Sequence, residues 1–254
     1  MRPLVSVIVP ALNEEKYLER CLRSIRDQTF EDFELIVCDN GSTDRTVEVA
    51  RKYADRVIVE RKKGRAHARN RGVKIARGEI LMFLDADVMV PPNFLKKAIG
   101  LIRGPVIGVT CSLHPLETSK KLFPIVLSNL LVRLSTKLRF PLIPTDCLIV
   151  RKDVCESIGG FNERVEREDL DFSLRARRHG IFLYLSDFQA KTSLRRVIKY
   201  GWAHEICHAL TSDSREILQA LGIIKYGSEN RQKLIWAKKL HEFDSVNEQK
   251  TFHI

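Results

Sequence analysis

The chain has no run of about 18 charge-free apolar residues, so no segment of it reads as a membrane span. Its N-terminus lacks an apolar stretch long enough for a signal sequence, and export by that route is not expected. The six cysteines form no Cys-x-x-Cys pair and no zinc-ribbon spacing. Nothing therefore calls for disulfides, and a reducing cytoplasmic setting is the expectation. Cys38, inside an apolar run, reads as a small core residue. Aromatic residues make up only 7% of the chain and do not interleave with the basic ones. That pattern lacks the stacking platforms of single-strand binders, so no nucleic-acid partner is expected. Internal repeats and low-complexity tracts are absent as well.

What remains is a globular pattern. The 254 residues are 44% hydrophobic, sufficient for one large core, and carry a net charge of +11. A basic balance of that size suits an acidic substrate or an anionic membrane surface. Short apolar runs alternate with segments of helical spacing. The runs are Val5–Pro10, Phe33–Cys38, Arg56–Glu60 and Ile80–Leu84, and the helical segments are Glu14–Arg26, Val47–Tyr53 and Arg65–Arg77. Thr43 or Asp44 reads as the N-cap of the second helix. Further strands are expected over Val106–Leu113, from Pro144 to Val150 and over Ile181–Leu185, with a charged helix over Arg167–His179. Alternation of this kind predicts an α/β fold with a mostly parallel central sheet flanked by helices. Beyond Gly201 the pattern turns helical and ends in a polar dozen residues.

The most informative stretch is Ile80-Leu81-Met82-Phe83-Leu84-Asp85-Ala86-Asp87. Five apolar residues in a row read as a strand buried on both faces. Ligands of open α/β sheets collect beyond the carboxyl ends of such strands. Two carboxylates emerging there repel each other, and a divalent cation neutralises them; the alternative is a solvated Asp-rich turn. The first strand ends in Pro10-Ala11-Leu12-Asn13-Glu14-Glu15 and the second in Asp39-Asn40-Gly41-Ser42, bringing more acids and amides to the same edge. Side chains of this kind suit the neutral hydroxyls and base of a nucleoside. A diphosphate needs cations, and residues 61–77 carry eight Lys or Arg and no acid. Arg69 is the choice for a phosphate contact because a guanidinium fork matches phosphate oxygens.

Six segments in order resemble an inverting GT-A glycosyltransferase of the large nucleotide-sugar-dependent family 2, which includes polyprenyl-phosphate sugar transferases and cellulose-synthase-like enzymes. They are VSVIVPALNEE, DFELIVCDNGSTDRT, GRAHARNRG, GEILMFLDADVMVPPNFL, IGGFNE and EREDLDFSLRARRHG, and they cover roughly residues 4–187. The resemblance implies a Rossmann-like GT-A catalytic domain over 1–200, with a nucleotide-binding half to about residue 90, an acceptor half beyond it and a helical C-terminal extension over 201–254. It implies that Asp85 and Asp87 are the DxD motif, holding Mg2+ or Mn2+ against a UDP- or GDP-sugar. Pro10, Ala11, Asn13, Glu15, Asp39, Asn40 and Ala86 would then line the donor pocket. Where this chain has Asp39-Asn40 the family often has two aspartates, which leaves the base open.

Asp169 fits the family's catalytic base: inversion needs a carboxylate opposite the leaving diphosphate to take the acceptor's proton. Read alone, Glu168, Asp169 and Asp171 equally suit ion pairs with Arg164, Arg167 and Arg175 at helical spacing. Glu168 and the bare turn Gly159-Gly160 are candidates for the acceptor side, with a simple helix stop as the other reading of the glycines. Arg195 and Arg196 are candidates to close over the diphosphate. His204-Glu205-Ile206-Cys207-His208 matches HExxH but lacks the metzincin continuation, so His204 is taken as an extra ligand of the DxD metal or as a packing residue. Residues 117–140 mix Leu, Ile and Val with Lys and Arg, as would a helix lying on an anionic membrane, a core helix or a dimer contact. If the first holds, the enzyme sits peripherally on the inner face of the cell membrane and the acceptor is lipid-linked; otherwise a glycan acceptor is as good. Nucleotidyl transfer onto a sugar phosphate is the alternative chemistry, and an HExxH zinc protease the remote one.

Overall fold

The computed structural model describes residues 2–116, 123–139, 142–165 and 167–200. The extension expected over 201–254, with the HExxH stretch and His204, lies outside the described residues, as do the first and last parts of the 117–140 segment. The elements run β1 (Val5–Ala11), α1 (Leu18–Arg26), β2 (Phe33–Asp39), α2 (Thr46–Tyr53), β3 (Arg56–Val59), α3 (Arg65–Ile75), β4 (Ile80–Leu84), β5 (Val88–Met89) and α4 (Phe94–Leu101). They continue with β6 (Val106–Pro115), α5 (Phe123–Lys137), β7 (Cys147–Arg151), α6 (Lys152–Ser157), α7 (Glu168–Ala176), a single 3-10 turn (Arg177–His179), β8 (Ile181–Thr192) and α8 (Arg195–Tyr200).

One sheet of eight strands orders them β3-β2-β1-β4-β7-β6-β8-β5. Four pairings are parallel (β1 with β2, β1 with β4, β2 with β3, β6 with β8) and three antiparallel (β4 with β7, β6 with β7, β5 with β8). The expected α/β class and its parallel half stand, while β7 runs against its neighbours. Both faces of the central strands are covered. Val5, Val7 and Val9 of β1 join α1 and α4 side chains on one face. Ile8 joins Cys38, Phe83, Val73 of α3 and Phe172 of α7 on the other. Burial on both faces is why these strands read as unbroken apolar runs rather than alternating ones.

Three local differences bear on the site. Helix α1 begins at Leu18 rather than Glu14, because residues 14–17 form a turn in which the Tyr17 and Leu18 N–H groups both donate to the Glu14 carbonyl (3.0 and 2.9 Å). That turn leaves the Glu14 side chain facing the carboxyl edge. The N-cap of α2 is Arg45 rather than Thr43 or Asp44, although Asp44, one residue earlier, still holds the first turn, its Oδ1 accepting from the Thr46 N–H at 3.0 Å. Strand β8 runs on to Thr192 instead of stopping at Leu185, past an irregularity where Cys111 pairs with Leu185 but Ser112 with Gln189. The bulge hides the extension from a period-two reading. Its consequence is to deliver the chain, and with it Arg195, to the same edge as Asp85 and Asp87.

Candidate active site

The carboxyl ends of β1, β2 and β4 border a cleft of about 850 Å3. Its polar floor holds Glu14, Asp85, Asp87, Asp146 and Asp169, and Arg65, Arg167 and Arg195 face them. An apolar wall from α5 and the segment before β7 closes one side, with Leu131, Val132 and Ile143 in it. A cleft of that size accommodates a nucleotide-sized ligand.

Each acid is held by a specific partner. Helix α3 lies close against β1 because it presents Ala66, Ala68 and Gly72 to the sheet; a Cβ on Gly72 would come within 2.4 Å of Ile8. The close approach carries Arg69 under the cleft, where it is 1% exposed. Its Nη2 donates to Asp85 Oδ1 at 2.7 Å and its Nη1 to Glu168 Oε1 at 2.6 Å. The ring of Phe161 lies 5.5 Å from its guanidinium carbon. Asp85 is also fixed from the far side, its N–H donating to the Asp146 carbonyl at 3.0 Å. The Asp146 carboxyl hydrogen-bonds Asp85 and is pushed well above the usual carboxylate range, by burial first and then by the charges of Asp85 and Asp169. Asp146 therefore leans toward the neutral acid.

Asp87 is raised to about 6, chiefly by burial and next by the neighbouring charge of Asp85. Arg195 partly offsets this: its Nη1 and Nη2 reach the two Glu14 oxygens at 2.5 Å each, and Nη2 lies 3.2 Å from Asp87 Oδ2. The same guanidinium stands 4.8 Å over the Tyr17 ring. Asp169, 18% exposed, pairs with Arg167 at 3.2 Å and accepts from the Leu170 N–H at 2.9 Å. Burial pushes its carboxyl up, but Arg167 and these hydrogen bonds outweigh it and hold Asp169 below the usual range. An ionised, cleft-facing carboxylate is what a general base requires.

Comparison with known proteins gives the site a family. Residues 6–159 match the family profile described as glycosyl transferase family 2. The chain belongs to that family. It is 30% identical over 195 residues to the glycosyltransferase AglE of Haloferax volcanii, a match covering 71% of this chain and 64% of the relative. It is 38% identical over 111 residues to validoxylamine A glucosyltransferase of Streptomyces hygroscopicus subsp. limoneus, covering 41% of this chain and 24% of that one. The chain thus spans less than two thirds of the length of these relatives. Among solved structures it resembles the mannosyltransferase PcManGT of Pyrobaculum calidifontis in complex with GDP-Man and Mn2+, at 24% identity and a TM-score of 0.70 over 86% of this chain and 65% of that one. It also resembles TarS 1–349 of S. aureus in complex with UDP-GlcNAc, at 25% identity and a TM-score of 0.59, over 74% and 58% of the two chains. Its mixed sheet and flanking helices are of the GT-A type. Family membership speaks against the nucleotidyltransferase and protease readings of the sequence.

Of the residues singled out from sequence, Pro10, Ala11, Asn40, Asp85, Ala86, Asp87, Asp169 and Arg195 border the cleft. Asn13 and Glu15 instead tie the first loop to the second. Asn13 takes a positive φ of 55° and its Oδ1 accepts from the Thr43 N–H at 2.9 Å, while Glu15 accepts from the Arg45 N–H at 3.1 Å. The Asn40 amide is engaged with the backbone of residues 60–64, donating to the Lys62 carbonyl at 2.6 Å and accepting from the Gly64 N–H at 2.7 Å. Asp39 holds Gly41 and Ser42 through Oδ2 (3.0 and 3.1 Å), and its buried Oδ1 has no partner.

Three expectations need correction. Arg69 is not available to a diphosphate, since both terminal nitrogens are engaged with carboxylates beneath the floor. Glu168 is buried between Arg69 and Arg65 (3.3 Å) and does not border the cleft. Gly159-Gly160 does not face it either. Gly160 packs on Asn70, whose Oδ1 would lie 2.6 Å from an added Cβ, and Arg175 binds its carbonyl at 2.8 Å. The ion-pair reading of this helix holds for Asp171, buried and paired with Arg175 at 2.6 Å. The Arg196 side chain, like His204, lies outside what the structure describes. Sequence reasoning missed Asp146 outright; it had Glu14 only among the acids of the sheet edge, Arg65 only within the basic run and Arg167 only as an ion-pair partner. Asp146 had a signal: it precedes an apolar strand, and an antiparallel strand presents its start at the edge where parallel strands end.

Arg69→Met removes the common partner of two buried acids. It should destabilise the fold by about 3–5 kcal/mol in urea unfolding; a loss within experimental error would contradict the bridging role.

Proposed function

We propose that this chain is an inverting glycosyltransferase that moves a sugar from a nucleoside-diphosphate sugar to an acceptor hydroxyl, using Mg2+ or Mn2+. The observation that carries this reading is the shared cleft of Asp85, Asp87 and Asp169: two acids at the end of β4 and an ionised carboxylate on α7. The carboxylate oxygens suit a hard divalent cation. Asp87, raised by burial and by Asp85 and only partly offset by Arg195, is a site of excess negative charge, which fits the same ion. Asp85 and Asp87 would hold it, and when bound it neutralises charge building on the departing diphosphate.

The chain's own residues divide the remaining work. Asp39 Oδ1, buried and without a partner, is an acceptor suited to an N–H of the base. Arg195 exchanges part of its hold on Glu14 and Asp87 for the diphosphate. Arg69 and Asp146 fix Asp85. Asp169 takes the acceptor's proton as the new bond forms, and Arg167 keeps it ionised beforehand. UDP- and GDP-sugars are the donor class, supported by the nucleotides bound in the two structural neighbours. The acceptor is a glycan or a lipid-linked hydroxyl.

Asp169→Asn keeps the shape of the site and removes the base. It should lower kcat by about 10³-fold while leaving donor affinity unchanged; retained turnover would refute the role. Proton competition at Asp87 gives a second test. Its proton is held up to about pH 6, so calorimetric Mn2+ affinity should be flat above that pH and fall by about tenfold per unit below it. Affinity that does not change between neutral pH and pH 5 would contradict Asp87 as a ligand.

A further inference from the structure

Helix α5 carries a feature that the chemistry of the cleft does not use. Val126, Leu130, Leu134 and Leu138, four residues apart, stand 46–76% exposed along its outer side and the residue after it. The helix contains no acidic residue, and Arg133, Lys137 and Arg139 flank the stripe. At its C-terminal end opens a second pocket, of about 360 Å3, lined by Arg139, Arg177, Arg178 and His179. Among the described residues neither Arg139 nor Arg178 is ion-paired. The buried side of the helix runs through Val132 and Ser135, and Ile125 and Val132, with the half-exposed Leu131 at the rim, belong to the apolar wall of the cleft. Asn129 fixes the helix in this position, donating to the Leu113 carbonyl at 2.7 Å and accepting from its N–H at 2.9 Å.

We propose that α5 and the basic pocket at its end form a docking surface for an anionic phospholipid bilayer. The stripe supplies the apolar face that enters the headgroup region. The cations beside it complement lipid phosphates, the pairing expected of a helix lying in the interface plane. At 15 residues α5 is about 22 Å long and too short to cross a bilayer, and no described helix is long and apolar enough to do so. Lying flat, it would set the mouth of the cleft beside the membrane, with an apolar wall leading inward. A second copy of the chain offers the same cationic rim and would meet it with like charge, which disfavours a dimer through this face. The inference goes beyond the proposed sugar transfer and can fail without it.

The test is flotation of the full chain with phosphatidylcholine vesicles and with vesicles that also contain phosphatidylglycerol. The wild type should float with the anionic vesicles only. The exposed-site variant Leu130→Asp/Leu138→Asp should abolish flotation, and Arg133→Glu/Lys137→Glu should weaken it by at least about fivefold per position. Circular dichroism and Mn2+ binding of both variants should match the wild type, separating a lost surface from a lost fold or a failed active site. Absence of flotation, or flotation undiminished in both folded variants, would overturn the proposal. So would a wild-type dimer that Leu130→Asp/Leu138→Asp dissolves without any vesicle binding.

Discussion

The architecture of the cleft depends on one buried guanidinium. Arg69 sits beneath the floor and joins Asp85, at the end of a strand, to Glu168, at the start of a helix and ninety-nine residues beyond Arg69 itself. The contact exists only because α3 lies unusually near the sheet, which Gly72 and the alanines of that helix permit. A buried cation with two carboxylate partners is stable where any one of the three alone would not be. It sets where Asp85 stands and where α7 begins, and so fixes the separation between the acids at the end of β4 and Asp169.

Around that bridge the problem is one of like charge. Glu14, Asp85, Asp87, Asp146 and Asp169 share one half-open cleft, where carboxylates that are buried and left unpaired would take up protons. Different acids meet this constraint differently. Asp169 stays ionised because Arg167 outweighs its burial. Asp146 moves toward the neutral acid, pushed there by burial and by the charges of Asp85 and Asp169. Asp87 is left between these limits, with Arg195 as a loose counter-ion. This graded arrangement yields one carboxylate suited to proton abstraction and one edge suited to a divalent ion.

Much of this was legible in the chain before the fold was known. Strands buried on both faces leave unbroken apolar runs, so β1, β2 and β4 and the acids at their ends could be read directly. The direction of β7 could not, because an apolar run carries no sign of which way it will pair; Asp146 was overlooked for that reason. The partners of Arg69 were hidden because a basic run looks the same whether its members face solvent or the core. Gly159-Gly160 suggested a bare turn open to a ligand, but Gly160, at φ of 72°, serves a close approach to Asn70 instead, and Gly159, at 75°, only turns the chain. The length of β8 was masked by its bulge.

The central claim is that the acids at the end of β4 and Asp169 act from opposite sides of one anomeric carbon. Nuclear magnetic resonance of products formed from α-linked UDP- and GDP-sugars in the presence of Mn2+ tests this most directly. The account predicts release of the nucleoside diphosphate and a β-configured product. A product with retained α configuration, or release of pyrophosphate in place of the nucleoside diphosphate, would contradict it.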